Sequence, residues 1–202
     1  MPMARCISLS VRICCAAILA APLVGVYSQA APATSEKLPL NAVLVLTPDF
    51  CATKFTQGSF WTTGKETFEV GKEACADLEP ALKSVFLTLS VASAPPESGS
   101  AQVILTPRFV NGHATTAAIA FSNREMDVLL EWTVKDSAGR TLWLQTVQGS
   151  AQNHMGSIYT HGHDVKLIAA NSVHDAAKQS AAQMMAAQEL RKFADENSKS
   201  IK

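Results

Sequence analysis

Between Met126 and Lys135 the chain alternates with a two-residue period: Met126, Val128, Leu130, Trp132 and Val134 on one side, Asp127, Glu131, Thr133 and Lys135 on the other. A strand patterned this way has one face that must be covered and one that tolerates water, the signature of an antiparallel sheet packed on a single side. Asp136-Ser-Ala-Gly139-Arg140 turns the chain, and Thr141 to Gly149 returns as the hairpin partner, with either Leu142 and Leu144 or Trp143 and Val147 facing inward. The sheet therefore demands a cover, and two segments with helical periodicity offer one.

The first runs from Lys72 to Leu89, with Cys75, Leu78, Leu82, Val85, Phe86 and Leu89 on one face. Pro80 lies inside it, so the helix either kinks there or has its stable part starting close to Pro80. The second places Val173, Ala176, Ala177, Ala181, Met184 and Leu190 along one face. Ser172 and Asp175 resemble a capping box at its start, and an earlier start near Asp164 is open because Val165 and Ile168 continue the stripe. So many alanines let this helix lie close on its support.

Elsewhere the pattern is shorter. Ala42-Val-Leu-Val-Leu-Thr47 is apolar and β-branched, as expected of a strand buried on both faces, and Pro48-Asp49 closes it. Thr67 to Val70 forms a second, weaker strand or an exposed loop. Ser93 to Ser100 is a loop with two prolines. Val103, Leu105 and Phe109 mark a strand that Pro107 assigns to an edge or a bulge, and Asn111-Gly112 signals a hairpin turn before a strand over Ala114 to Phe121. Ser150 to Gly162 is polar, and the tail from Asp195 frays. Helices segregated from a meandering sheet predict an α+β two-layer sandwich: a mostly antiparallel sheet with two helices on one face.

The N-terminus fixes the compartment. Arg5 and Arg12 precede the apolar run Ile13 to Val26, and small residues continue through Ala33, the layout of a secretory signal peptide cleaved after Ala30 or Ala33. Residues 34–202 then form a single domain, periplasmic or secreted. Removing the leader leaves 15 basic residues against 17 acidic, so a nucleic-acid partner is not expected, and the mature chain has no transmembrane span. It also leaves Cys51 and Cys75 alone of the five cysteines. An even count in an exported domain reads as a disulfide, and closing a loop of this length is worth about 3 kcal/mol.

No catalytic constellation emerges: there is no G-x-S-x-G elbow, no phosphate-cradling glycine loop and no C-x-x-C pair. His161-Gly-His163-Asp164, with His154 and His174 nearby, supplies metal-ligand residue types, and on a strand His161 and His163 share a face. The competing reading is a polar loop entering a helix, with Asp164 as its cap. Phe60, Trp61 and Phe68 either line a ligand surface or pack beneath a loop, and Asp49 to Gly58, beside the expected disulfide, forms a candidate partner-contacting loop.

Taken together, Val43-Leu-Val-Leu46, Val70-Gly71 leading into Leu78, Leu82 and Phe86, the strand Ala101 to Pro107, the turn Asp136 to Trp143 and the closing Asp175-Ala-Ala resemble a group of exported bacterial proteins. This is the envelope-assembly lipoprotein type, which includes the lipopolysaccharide-assembly lipoprotein and auxiliary lipoproteins of ABC transporters. Such proteins carry a lipidated N-terminal cysteine. Here Val11-Arg12-Ile13 precedes Cys14 and Cys15 and the apolar run comes after them, so there is no lipobox and the product is read as released. The resemblance implies a non-enzymatic accessory or binding protein of the envelope, without a cofactor, contacting a protein or a lipid-like amphiphile. A metal-binding protein or metal-dependent enzyme built on His161 and His163 is the alternative.

Overall fold

The computed structural model describes residues 36–58, 65–97, 101–115, 123–154 and 161–199. In chain order these form β1 (Leu38–Val45), α1 (Pro48–Cys51), β2 (Phe55–Gly58), β3 (Lys65–Phe68), α2 (Val70–Leu82), β4 (Phe86–Ala92), β5 (Val103–Ala114), β6 (Asn123–Asp136), β7 (Thr141–His154), α3 (His161–Ala186) and α4 (Gln188–Lys199). Five strands make one sheet in the order β4-β1-β5-β6-β7, and β2 with β3 makes a separate hairpin. β1 is parallel to both its neighbours, while β5, β6 and β7 form a long antiparallel meander. The architecture is the α+β two-layer sandwich that the strand and helix patterns predict.

β6 behaves as its alternation demands. Met126, Val128, Leu130, Trp132 and Val134 are all buried against α2, α3 and α4 in one continuous core. The opposite face carries polar pairs such as Arg108 with Glu131 at 2.8 Å. Trp132 brings a polar atom into the core. Its indole N–H donates to Ser180 Oγ at 2.8 Å, and that hydroxyl donates to the Ala176 carbonyl at 2.7 Å. Left without its acceptor, a buried donor of this kind costs about 1–3 kcal/mol. On β7, Val147 faces the core with Trp143, while Leu144 is exposed. A register shift between Val134 and Lys135 lets Leu142 also pack inward.

Three sequence expectations give way. The stripe from Cys75 to Leu89 is not one helix: α2 starts at Val70 and ends at Leu82, two residues past Pro80, and Phe86–Ala92 is a strand parallel to β1. Phe86 and Leu89, three apart, continue the helical stripe, but the alternating, β-branched pattern of Leu87-Thr-Leu-Ser-Val91 favours the strand. Asn111-Gly112 is no hairpin turn. β5 continues through it to Ala114, with a register shift between Phe109 and Asn111, and Gly112 is the point where the Phe55 ring comes within 3.2 Å of where a Cβ would sit. A glycine inside a strand marks a bulge or a close approach as readily as a turn. The strand expected over 114–121 falls largely outside the described residues.

Ser172 and Asp175 cap nothing, because α3 begins at His161. Ser172 is buried in mid-helix with its hydroxyl donating to the Ala169 carbonyl at 3.0 Å. The alanine stripe does allow a close approach: a Cβ at Gly149 on β7 would overlap the Ser172 carbonyl and Ala176. Pro107 is accounted for by β1, which pairs with β5 only over Val103–Leu105, so β5 is already a free edge when the proline is reached.

Candidate functional site

β1 leads into a corner where two helices meet backbone to backbone. Thr47 Oγ1 accepts the Phe50 N–H at 3.2 Å and Pro48 occupies the first turn, so α1 is capped and started within four residues. A Cβ at Gly71, near the start of α2, would overlap the Phe50 carbonyl, and the Gly71 N–H donates to the Thr53 carbonyl at 3.0 Å. Cys51 ends α1 and is disulfide-bonded to Cys75 of α2, with a Cα–Cα distance of 5.7 Å. The Phe50 ring stacks on Phe109 of β5 at 5.0 Å, which ties the corner to the sheet.

From this corner the β2–β3 hairpin leans on the main sheet, and its two-residue period decides how. Phe55, Gln57, Glu66 and Phe68 are turned inward, whereas Thr56, Lys65 and Thr67 are exposed. Phe55 lies over Gly112 and stacks on Phe68 at 5.7 Å. Gln57 takes the place of a strand: its amide donates to the Ala114 carbonyl at 2.8 Å and accepts the Ala114 N–H at 3.2 Å. Glu66 receives Nη2 of Arg124 from β6 on both oxygens at 2.7 Å. Arg124 is 3% and Glu66 8% exposed, and Nε and Nη1 of the arginine find no partner among the described residues. Glu66 is thus the counter-charge on which the buried guanidinium depends.

The hairpin, the start of α2 and α3 enclose a cleft of about 480 Å³, lined by Lys54, Lys72, Lys166, Glu69 and Glu73 beside buried Phe68. Lys54 Nζ lies 3.1 Å from Glu69. That hydrogen bond and the charge of Lys54 hold the Glu69 carboxyl below its ordinary pKa, with Lys72 and Lys166 adding to the effect. Three ammonium groups against two carboxylates suit a polar, charge-bearing contact, and the volume lies in the usual range of ligand pockets. A smaller cleft of about 200 Å³ shares Lys54 and reaches Phe55, Val70, Phe109 and Gly112.

The residues singled out in the sequence fall in different places. Cys51 and Cys75 come together in this corner, and Asp49 to Gly58 supplies α1, Lys54 and β2. Phe68 is core, whereas Phe60 and Trp61 lie outside the described residues. His161, His163 and Asp164 belong to the first turn of α3. Helix positions two apart are separated by about 200° around the axis, so the shared strand face that joined the two histidines does not apply. His174 pairs with Asp77 across α3 and α2 at 3.3 Å. Among the described residues no group of three or more His, Cys, Asp or Glu gathers, and no helix is long and apolar enough to cross a membrane. Gln57, Glu66, Arg124 and the three lysines carry no motif in the sequence.

No family model matches the chain, and no curated protein matches it in sequence. Solved structures do. Protein XCC0632 from Xanthomonas campestris, of family DUF330, is 8% identical over 81% of this chain and 90% of its own, with a TM-score of 0.52. A minor lipoprotein from Acinetobacter baumannii is 11% identical over 72% and 90%, with a TM-score of 0.48. At such identities what the chain shares with the Xanthomonas protein is its fold, an α+β sandwich spanning nearly the whole of that neighbour.

Proposed function

We propose that this chain is an exported, non-enzymatic accessory or binding protein of the cell envelope, periplasmic or secreted, which contacts a protein or an amphiphile through the cleft beside the β2–β3 hairpin. The Cys51–Cys75 bond carries the reading. Disulfides persist in oxidising compartments, the leader-like N-terminus points the same way, and the bond ties α1, just before Lys54, to α2, which carries Lys72. The sandwich shared with the Xanthomonas protein supports a scaffold whose function resides in a surface rather than in the fold itself.

Two measurements test this. Protein recovered from the periplasm and denatured without reductant should show no titratable Cys51 or Cys75 thiol; two thiols would remove the main support. Envelope fractions incubated with the purified protein at about micromolar concentration should retain it, and charge reversal at Lys54, Lys72 and Lys166 should weaken that retention. Failure to recover any protein or lipid with the wild type would sink the binding role.

A further inference from the structure

Two of the sheet's strand edges are met in part by other elements of the fold. Above Leu105, where β1 no longer pairs, the β5 edge is covered by the hairpin, with the Gln57 amide occupying both backbone groups of Ala114. At β7, α3 lies against Gly149, and Asp175 accepts the Ser150 N–H at 3.0 Å. β4, the opposite edge, has no such cover among the described residues. Its sequence Phe-Leu-Thr-Leu-Ser-Val-Ala holds no charge and no proline, the usual protections of an open edge, and Leu87 and Val91 are 61% and 43% exposed.

The arrangement of β4 matches itself. Leu87 and Val91 stand two residues either side of Leu89, and Thr88 and Ser90 stand one residue either side. An antiparallel pairing of two copies about a two-fold axis through Leu89 sets Leu87 against Val91 twice, and Thr88 against Ser90 twice, so apolar meets apolar and hydroxyl meets hydroxyl. The backbone is phased for it. Ala92 gives its carbonyl to the Leu46 N–H of the β1 side, and the strand alternation therefore turns the N–H and C=O of Leu89 and Val91 outward. Leu89, on the axis, would exchange both bonds with its own copy.

We propose that the protein is a symmetric homodimer in which β4 pairs antiparallel with β4 of a second copy about Leu89, joining two five-stranded sheets into one. This holds wherever the protein works and whatever enters the cleft. Sedimentation equilibrium at about 100 μM should give twice the monomer mass. Val91→Lys and Leu87→Lys should each return the monomer with an unchanged circular dichroism spectrum, while Thr133→Lys on the open face should leave the dimer intact. The double variant Thr88→Cys, Ser90→Cys should cross-link between copies, because opposed residues at a non-hydrogen-bonded site stand about 4.5 Å apart, within disulfide reach. A monomer at that concentration would overturn the proposal, even if an extended peptide binds β4. So would a dimer that survives both lysine substitutions, since another surface would then hold it, or a dimer in which the cysteines fail to cross-link.

Discussion

At the β5 and β7 edges a side chain from another element takes a backbone bond that a ladder would otherwise make, whereas β4 is left with only its own strand pattern. At β5 a side-chain amide stands in for a strand, and at β7 a carboxylate on a helix accepts a strand N–H. Each closure rests on small residues that let another element come near: Gly112 beneath Phe55, Gly149 against Ala176. β4 has neither glycine nor charge, and its exposed side chains alternate between the aliphatic Leu87 and Val91 and the hydroxyls of Thr88 and Ser90. At β5 and β7 the contact comes with an element pressed onto a glycine, and β4 has no such contact among the described residues.

The contrast can be broken most severely at the hairpin. Glu66→Ala removes the counter-charge of buried Arg124 and should lower unfolding stability by about 3–5 kcal/mol, read by urea denaturation. Replacing both partners, Glu66→Leu with Arg124→Met, should recover most of that loss, since the penalty arises from the orphaned charge. Gly149→Ala presses a methyl group into α3 and should cost about 1–3 kcal/mol, with the loss of hydrogen-exchange protection concentrated in β7. Asp175→Ala, which frees the Ser150 N–H on an exposed edge, should cost about 1 kcal/mol or less by the same measurement. Val91→Lys should change monomer stability by no more than about 0.5 kcal/mol while altering association, the reverse of what the other edges show.

Acid offers a further way to sharpen it, at the turn that feeds β7. Burial works to raise the Asp136 carboxyl, but hydrogen bonds from the Arg140 backbone and guanidinium and from the Ala138 N–H outweigh it, and the net pKa is lowered. A depressed carboxylate contributes stability that is present above its unfolded pKa and lost as pH falls through the folded value. Wild type and Asp136→Asn should therefore differ by a constant amount above about pH 5 and converge in stability as pH falls below the ordinary carboxylate value and through the lowered folded one. Curves that stay parallel would show that the carboxylate charge contributes nothing to the turn.

How much of the molecule is legible in its sequence depends on the range of the interaction. The β6 alternation, the Asp136–Arg140 turn and the two cysteines are local or countable, and they lead to the sandwich and the disulfide. β4 reads as helix because Phe86 and Leu89, three apart, continue the helical stripe, while the strand shows only in the alternation of Leu87, Leu89 and Val91 with Thr88 and Ser90. Gly112 reads as a turn because the ring it makes room for, Phe55, lies far away in the chain. Glu66 and Arg124 are 58 residues apart, and neither has a neighbour that announces a buried pair. The cleft lysines are invisible for the same reason: Lys54 of the α1–β2 connection, Lys72 of α2 and Lys166 of α3 are brought together only by the folded chain.

The way Gln57 is attached decides where the chain can tolerate change. A ladder of backbone bonds would bind the hairpin to β5 over its length, so that an inserted or deleted residue would shift every later pairing. One amide and one ring instead attach β2, and the buried Glu66 does the same from the returning strand. The exposed Thr56 and Thr67 of the hairpin can therefore be exchanged without disturbing any strand of the main sheet. A lysine at Thr56 or Thr67 should be tolerated where the same substitution at the buried Val147 of β7 would not be.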